Sequence, residues 1–538
     1  MDTVQLVLLL SLVVAVIGAL AKWLAVPVPI LFVAAGAALS FVPQLGAIEL
    51  DPEVFFFLFV PPLLFADGWL FPKREFFNYL RPILLLAFGL VAATVVAVGY
   101  VMHLLIPSLP LAAAFALGAI VSPTDAVATA AVTERLPLPS RTTHILNGES
   151  LINDASGLVA FRFAVAAVAT GTFSLGKAAT ELVLVAGGGA VVGLAVGVLI
   201  SQLRVRLKRF CVDDPTIQTI LSLLTPYAAY SAGELMHVSG VLAVVAGGLY
   251  AGWHDLKHLS IATRRHSWEV WGMLLYVFNA LAFLLLGIEL KRVLSASTGA
   301  PWPQLLGAAL LVYVVVTLVR VIWVYPGAYV PIIVSRTLRA QEGWLNPREV
   351  FLVAWSGIRG SVTLAAALSI PRITAVGTPF PERDMLVFLA GSTIVLTLIF
   401  NGMTLPLIIR TLGLRPDGTA QREERAARIA ITQAGSNAVR TAMSALRRPE
   451  EIAYAQRLID DYDSRSTRHL ANGPRRLELE AAAAEQQRLR MTGLRAERAE
   501  LHALRDQQVI NEQTLRAIEA EIDHAESLAA GEPRSGHA

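Results

Sequence analysis

Long apolar stretches alternate with short polar connections over the first 411 residues, near 4–24, 27–43, 53–70, 80–106, 110–134, 143–170, 177–201, 215–236, 238–254, 269–290, 304–334, 349–370 and 385–411. Most reach the roughly 20 residues that a membrane-spanning helix needs; the second and ninth are short. The pattern predicts an all-α polytopic membrane protein with about 13 transmembrane helices. Two stretches are interrupted. The fifth, FALGAIVSPTDAVATAAV, carries Pro123 in mid-span, which removes a backbone hydrogen bond, and Asp125 just after it. In the twelfth, FLVAWSGIRGSVTLAAAL, Gly357 and Gly360 flank Arg359. The ordinal positions of these two stretches differ by seven. Repeats made of stretches 1–6 and 8–13, with the seventh as a spacer, place them at matching positions, and the odd offset inverts the second repeat. Paired broken helices in inverted repeats mark the midplane site of a transporter.

Polarity changes abruptly near residue 414. From Arg415 onward there are 19 Arg, no Lys and 20 Asp plus Glu, so charge density rises from about one residue in nine to about one in three. This divides the chain into a transmembrane domain, 1–414, and a helical extension, 415–538. REERAARIAITQAGSNAVRTAMSALRR and RRLELEAAAAEQQRLR have amphipathic helical patterning, separated by the breaker Asn472-Gly473-Pro474. A regulatory or dimerising bundle and simple solubilising helices are both open readings of this tail.

With the N-terminus outside, the inner connections hold 16 Lys and Arg and the outer ones 5. The positive-inside rule then orients the chain with its N-terminus outside and its tail in the cytoplasm. A plasma membrane, or the inner membrane of a bacterium, is the expected location. Met1 and Asp2 lead straight into apolar residues with neither a basic region nor a small-residue cleavage site, which reads as a retained span. Overall, 55% of residues are hydrophobic, 16% are charged and mean hydropathy is +0.59, far from a soluble globular average. A net charge of +3 gives no reason to expect a nucleic-acid partner, and the lone Cys211 excludes an intramolecular disulfide framework. No Gly-rich phosphate loop is present, and no cofactor is implied.

The chemistry concentrates in the sixth stretch, THILNGESLINDASGLVAFRFAVAAVATG, which holds Glu149, Ser150, Asn153, Asp154 and Arg162 at depths where charge is expensive. A charge near the bilayer centre costs roughly 2.5–3.5 kcal/mol on insertion scales, so such residues mark ion or proton pathways. Ser150 and Asp154 share one helix face, and Glu149 and Asn153 the neighbouring one. Arg162 and Arg320 also lie within spans, without an assignable role. His254 and His258 are spaced like a metal pair but lack Cys or carboxylate companions.

GESLINDASGLV resembles the Asn-Asp motif of the monovalent cation/proton antiporters, in the electroneutral branch of bacterial NhaP-type antiporters and animal sodium/hydrogen exchangers. SPTDAVA resembles the Thr-Asp motif of that family's first unwound helix, SGIRGSVTLAAAL its Gly-Leu-Arg-Gly segment, and PPLLFADGW its third-helix Pro-Pro motif. The likeness covers about residues 1–411. It implies a dimer, an elevator-type moving core and a transporter rather than an enzyme. By the same resemblance Asp154 is the carboxylate that binds either proton or cation. Asp125, Ser150 and the backbone carbonyl of Thr124 complete the ion shell, so Asp154 and Asp125 are the carboxylates on Na+. Glu149 and Arg359 match a buried ion pair. Asn153 stands where electrogenic relatives carry a second Asp, which implies one-for-one exchange. Two positions depart from the pattern. Ala126 replaces a Pro, and the third-helix acidic residue aligns with Ala66, leaving Asp67 about 100° around the helix from the expected ion shell.

The residues support the same chemistry on their own. Sodium is a hard cation that takes oxygen ligands, which carboxylate, hydroxyl and freed main-chain carbonyls supply. A desolvated carboxylate needs either a proton or a cation, so both compete for the same oxygens. Potassium/proton antiport on the same fold is the alternative reading, since oxygen ligands do not choose between the two ions. A cation channel would need neither inverted repeats nor a titrating carboxylate. An intramembrane aspartyl protease would carry a Gly-x-Gly-Asp motif that this sequence lacks.

Overall fold

The structure, a computed structural model, describes residues 3–21, 23, 26–42, 52–133, 136, 138–170, 175–210, 214–296, 301–374, 377–414, 417–471 and 473–529. Lys22, Arg135, Cys211, Arg415 and Asn472, used above, lie outside them. Among the described residues the chain is helical apart from one isolated bridge, Ile373–Pro379. It divides into two compact units between Pro416 and Asp417.

The first unit begins with α1 (Thr3–Ala21), α2 (Val28–Leu39) and α3 (Pro52–Leu70), followed by the short α4 (Lys73–Asn78) and α5 (Leu80–Leu84). A π-helical turn, Leu85–Leu90, runs into α6 (Val91–Leu105). Next come α7 (Leu111–Val121), α8 (Ala126–Thr133), α9 (Ser140–Thr170), α10 (Leu175–Arg209), α11 (Pro215–Leu235), α12 (Gly240–His258), α13 (Ile261–Ala296) and α14 (Trp302–Val334). The unit closes with α15 (Arg336–Glu342), α16 (Pro347–Trp355), α17 (Ser361–Leu368), α18 (Arg383–Leu396), a second π turn and α19 (Met403–Leu412). Local sequence sets these boundaries. Asp214 caps α11 through Thr216 N at 2.7 Å with Pro215 at its first position, and Asn346 caps α16 ahead of Pro347.

Six helical runs are long and apolar enough to cross a bilayer: Leu80–Leu105, Ser140–Ala169, Leu184–Arg209, Ile261–Glu289, Pro303–Val334 and Arg383–Leu412. Shorter apolar helices, including Val28–Leu39, Phe56–Leu70 and Leu111–Val121, pack among them. Large apolar side chains such as Leu8, Leu104, Val191 and Ile322 stand exposed on the outer faces, where hydrocarbon rather than water suits them.

The helices sort into two sets. In one, α2 packs on α13, α3 on α12, and α10 and α11 on α12. Small residues bring these backbones together: a Cβ on Gly68 would lie 2.9 Å from the carbonyl oxygen of Val245. In the other set, α6 packs on α7, α9 on α7, and α14 on α16, α6 and α18.

The second unit consists of two helical hairpins, α20 (Thr419–Met443) with α21 (Pro449–Leu470) and α22 (Gly473–Asp506) with α23 (Glu512–Ala529). The second hairpin closes over Leu494, Leu501, Leu515 and Ile522. Its flank carries Arg498, which binds Asp523 at 2.6 Å and Glu526 at 2.8 Å. Gly473 and Pro474 belong to the first turn of α22, Asn472 lies outside the described residues, and α21 and α23 go beyond the two helices read from the pattern.

Candidate functional site

Two broken helices cross at the centre of the first unit. Between α7 and α8 the chain is non-helical over 122–125, and between α16 and α17 over 356–360. The breaks hydrogen-bond each other, Asp125 N donating to Ile358 O at 2.8 Å. Each half-helix leaves a dipole end at this crossing, and the side chains match them. The Asp125 carboxylate accepts from Ala128 N (2.9 Å) and Ser361 N (3.3 Å), at the N-termini of α8 and α17. Arg359 donates to Val121 O (3.0 Å) and to Gly357 O, at the C-terminal ends of α7 and α16. A negative group therefore faces the positive helix ends, and a positive group the negative ones.

Helix α9 lies against the crossing. Ser150 Oγ donates to the carbonyl of Thr124 at 2.5 Å and accepts from Ala126 N at 2.9 Å, clamping the first break. Asn153 Nδ2 donates to Thr124 Oγ1 at 2.8 Å, and that hydroxyl donates on to Glu149 Oε1 at 3.3 Å. Here the structure corrects the sequence reading. Glu149 pairs with Arg320 of α14, both oxygens engaged and Nη2–Oε2 at 2.7 Å, and not with Arg359. Arg320 is fixed by the Val353 carbonyl as well (Nε 3.2 Å, Nη2 3.0 Å), and both partners are 1% exposed. Arg359 is occupied by the helix-end carbonyls, which leaves Arg320 as the cation for Glu149.

A cavity of about 20 Å³, room for about one water-sized particle, opens beside the crossing. Asp154, Asp125, Thr124 and Ser150 line it, so the structure brings together the residues that the motifs single out. Asp67, set apart by its register, also faces it. Sequence reasoning missed three polar neighbours, Asn279, Ser361 and Thr363. Asn279 is the one amide in its apolar stretch, and Ser361 and Thr363 follow the Gly360 break, so a search for polar residues in apolar runs finds all three. The Asp154 side chain makes no hydrogen bond or ion pair among the described residues, and the charges that act on it are Asp125 and Asp67. Three carboxylates thus surround a small space while the neighbouring arginines are turned to other partners.

The cavity sits between the two helix sets. Asp67 of α3 and Asn279 of α13 belong to the first, and all its other polar residues to the second. Gly360 makes the approach possible, since a Cβ there would overlap the Asp125 carboxylate. Gly360→Ala is expected to push Asp125 off the α17 N-terminus and to raise the half-saturating concentration of any cation bound there by about tenfold or more, read from concentration dependence of transport.

Arg162, which has no assignable role in the sequence, finds one in packing. Arg162 of α9 binds Glu234 of α11 (2.9 and 3.1 Å) and the hydroxyl of Tyr230 (3.2 Å). This pair lines a cavity of about 900 Å³, whose wall includes Leu158, one turn beyond Asp154. The rings of His254 and His258 are 4.2 Å apart, and among the described residues no group of three His, Cys, Asp or Glu is arranged to hold a metal.

Known proteins resemble this chain in sequence and in fold. The model of the transmembrane sodium/hydrogen exchanger family matches residues 9–411. An uncharacterized Na(+)/H(+) exchanger of Escherichia coli (strain K12) is 36% identical over 97% of this chain and 98% of its own length. A sodium, potassium, lithium and rubidium/H(+) antiporter of Bacillus pumilus is 36% identical over 94% of this chain and 74% of its own. The solved sodium proton antiporter MjNhaP1 of Methanocaldococcus jannaschii superposes with a TM-score of 0.59 at 19% identity, over 77% of this chain and 99% of that one, a likeness of fold.

Proposed function

The chain belongs to the sodium/hydrogen exchanger family, and on that footing we infer that it is a secondary active antiporter exchanging Na+ or Li+ for H+ by competition at Asp154. Cation/proton antiport is the activity of the family; the ion, the stoichiometry and the movement are our reading. The observation that carries it is the Asp154 carboxylate, unpaired beside two further carboxylates in a space that fits a small particle. Burial without a counter-ion is costly, so the site holds either a proton or a dehydrated cation. Asp154, Asp125, Ser150 and the Thr124 carbonyl supply oxygens to the transported cation, and Asp67 adds a carboxylate from the opposing helix set. Proton flux in liposomes holding the purified protein, started in turn by sodium, lithium or potassium, tests this. No flux with any of the three defeats antiport. Equal flux with potassium favours the second reading, K+/H+ exchange, which the breadth of ions named for the Bacillus relative supports.

The placement of the site between the two helix sets supports a reading of alternating access. The set with α6–α9 and α14–α19 carries the crossing, and in our reading it slides as an elevator against the set with α1–α3 and α10–α13. The two broken helices stand in an inverted-repeat relation, within 13 spans of which the fifth and twelfth cross. The protein works as a homodimer in the plasma membrane, N-terminus outside, with residues 415–538 a cytoplasmic tail; the 16-to-5 bias of basic residues supports this orientation. Arg162–Glu234 bridges the two sets and has to part when they slide. Its partners are exposed by 45% and 36% on the wall of the large open cavity. Glu234→Gln is expected to change the maximal exchange rate by about threefold while leaving the half-saturating cation concentration unchanged, a split visible in initial-rate titrations.

Exchange is one-for-one in this reading. Asn153 is uncharged and spends its amide on Thr124, so Asp154 alone changes proton occupancy. No net charge then crosses per cycle. A potential of 100 mV, worth about 2.3 kcal/mol per charge moved, is expected to leave the equilibrium unshifted. Liposomes clamped with potassium and valinomycin should reach the same end-point pH at every voltage for a given sodium gradient; an end-point that follows voltage reveals a second carried charge.

A further inference from the structure

Away from the ion site, a second cavity opens where α5, the N-terminal turns of α9 and α16, and the C-terminal part of α14 converge. Its walls are apolar, formed by Leu85, Ile145, Trp323, Val324 and Val353 among others, with about 60 Å³ of free space inside. Its mouth is polar and carries both charges: Arg81, Arg141 and Glu349 line it. Glu342 of α15 binds two of these groups, Arg81 Nη2 at 2.8 Å and Arg141 Nη2 at 2.7 Å. Two valences remain. Arg81 Nη1 is buried without a hydrogen-bond partner, and the Glu349 carboxylate has no ion-pair or hydrogen-bond partner among the described residues. A buried guanidinium N–H left unpaired is costly, so the position calls for an acceptor.

We propose that this cleft is a binding site for a zwitterionic phospholipid of the surrounding bilayer, one whose head carries a phosphate and a primary ammonium. The phosphate meets Arg81, the ammonium meets Glu349, and an acyl chain lies along the apolar wall past Trp323. Charge selects this occupant. Arg81 and Arg141 are balanced by Glu342 and Glu349, so a purely anionic head would face an unpaired carboxylate, whereas a head with both charges satisfies each side. Apolar walls beneath a polar mouth at the ends of spanning helices suit an amphiphile anchored in hydrocarbon. The cleft also has a line to the transport machinery: the carbonyl of Val353, on its inner wall, holds Arg320, which holds Glu149. A lipid seated there stiffens the support of the crossing.

The test is the thermal unfolding midpoint of the purified full chain in detergent with added dioleoyl phosphatidylethanolamine, phosphatidylcholine, phosphatidylglycerol or inorganic phosphate. Phosphatidylethanolamine should raise the midpoint most, at the lowest concentration, and inorganic phosphate should have no effect. Arg81→Gln should weaken its half-effective concentration by about tenfold. Glu349→Gln should abolish the preference for phosphatidylethanolamine over phosphatidylcholine, whose quaternary head donates no hydrogen bond. Gly327→Phe provides a control that leaves the charges alone: Gly327 lines the cleft with nothing within 4 Å of a Cβ, so a ring there fills it and should remove the lipid effect. Equal shifts with all three lipids, a shift with inorganic phosphate alone, or shifts that survive both Arg81→Gln and Gly327→Phe would overturn the proposal.

Discussion

Asp154→Asn is expected to give a folded, membrane-inserted protein whose cation-driven proton flux falls below about a tenth of the native rate in liposomes. The substitution is nearly isosteric and removes the only change of charge the side chain can make. Asp154 has no hydrogen-bond partner to lose among the described residues, so the fold has little reason to suffer. It should be at least as stable as the native protein, because an amide costs less to desolvate than a carboxylate and leaves two rather than three acidic groups around the cavity. Stability retained with exchange lost is the signature of a site that holds charge for function. If exchange survives, the competing carboxylate is Asp125 or Asp67, and the same experiment on each identifies it. Asp125→Asn should behave differently. Its carboxylate also receives two helix N-termini, so this change should weaken cation binding and loosen the crossing together.

Most of the architecture around Asp154 is legible in the sequence because membrane insertion makes polarity informative. Pro123, Asp125, Gly357 and Gly360 stand out against apolar runs, and they form the two breaks that meet in space. Helical spacing puts Ser150 and Asp154 on the face that lines the cavity. What the sequence leaves open is partner choice between distant segments. Glu149 has two buried arginines in reach of the crossing, and only the fold shows that Arg359 is used up by Val121 and Gly357 carbonyls while Arg320 arrives from α14. Asp67 is a similar case. Counting residues along a helix puts it off register, but α3 carries Pro61 and Pro62 within its length, so ideal helical angles are a poor guide to where Asp67 points. Asn279 belongs to the opposing helix set, and no local pattern connects it with Asp154.

Neutralising Glu149 or Arg320 singly is expected to destabilise the protein by about 3–5 kcal/mol, since either change leaves a buried charge without its partner. Both side chains are 1% exposed and doubly joined, so solvent cannot take over for the missing group. In Glu149→Gln the stranded guanidinium keeps the Val353 carbonyl, while in Arg320→Met the stranded carboxylate keeps only the Thr124 hydroxyl. Arg320→Met should therefore be the more damaging. The double variant Glu149→Gln with Arg320→Met buries no net charge there and should recover much of the loss, giving a coupling of about 2 kcal/mol or more in a double-mutant cycle of thermal stability. The same cycle run with Arg359→Met in place of Arg320→Met should show the smaller coupling, because Arg359 touches helix-end carbonyls and not Glu149. A larger coupling for Arg359 would restore the pairing that the family resemblance implies. The two arginines converge on Gly357, where a Cβ would lie 2.7 Å from Arg320 Cδ and 2.9 Å from Arg359 Nη1. Glu149 thus sits where one guanidinium holds it and a second stands close by, and the cycle measures which of them the carboxylate depends on.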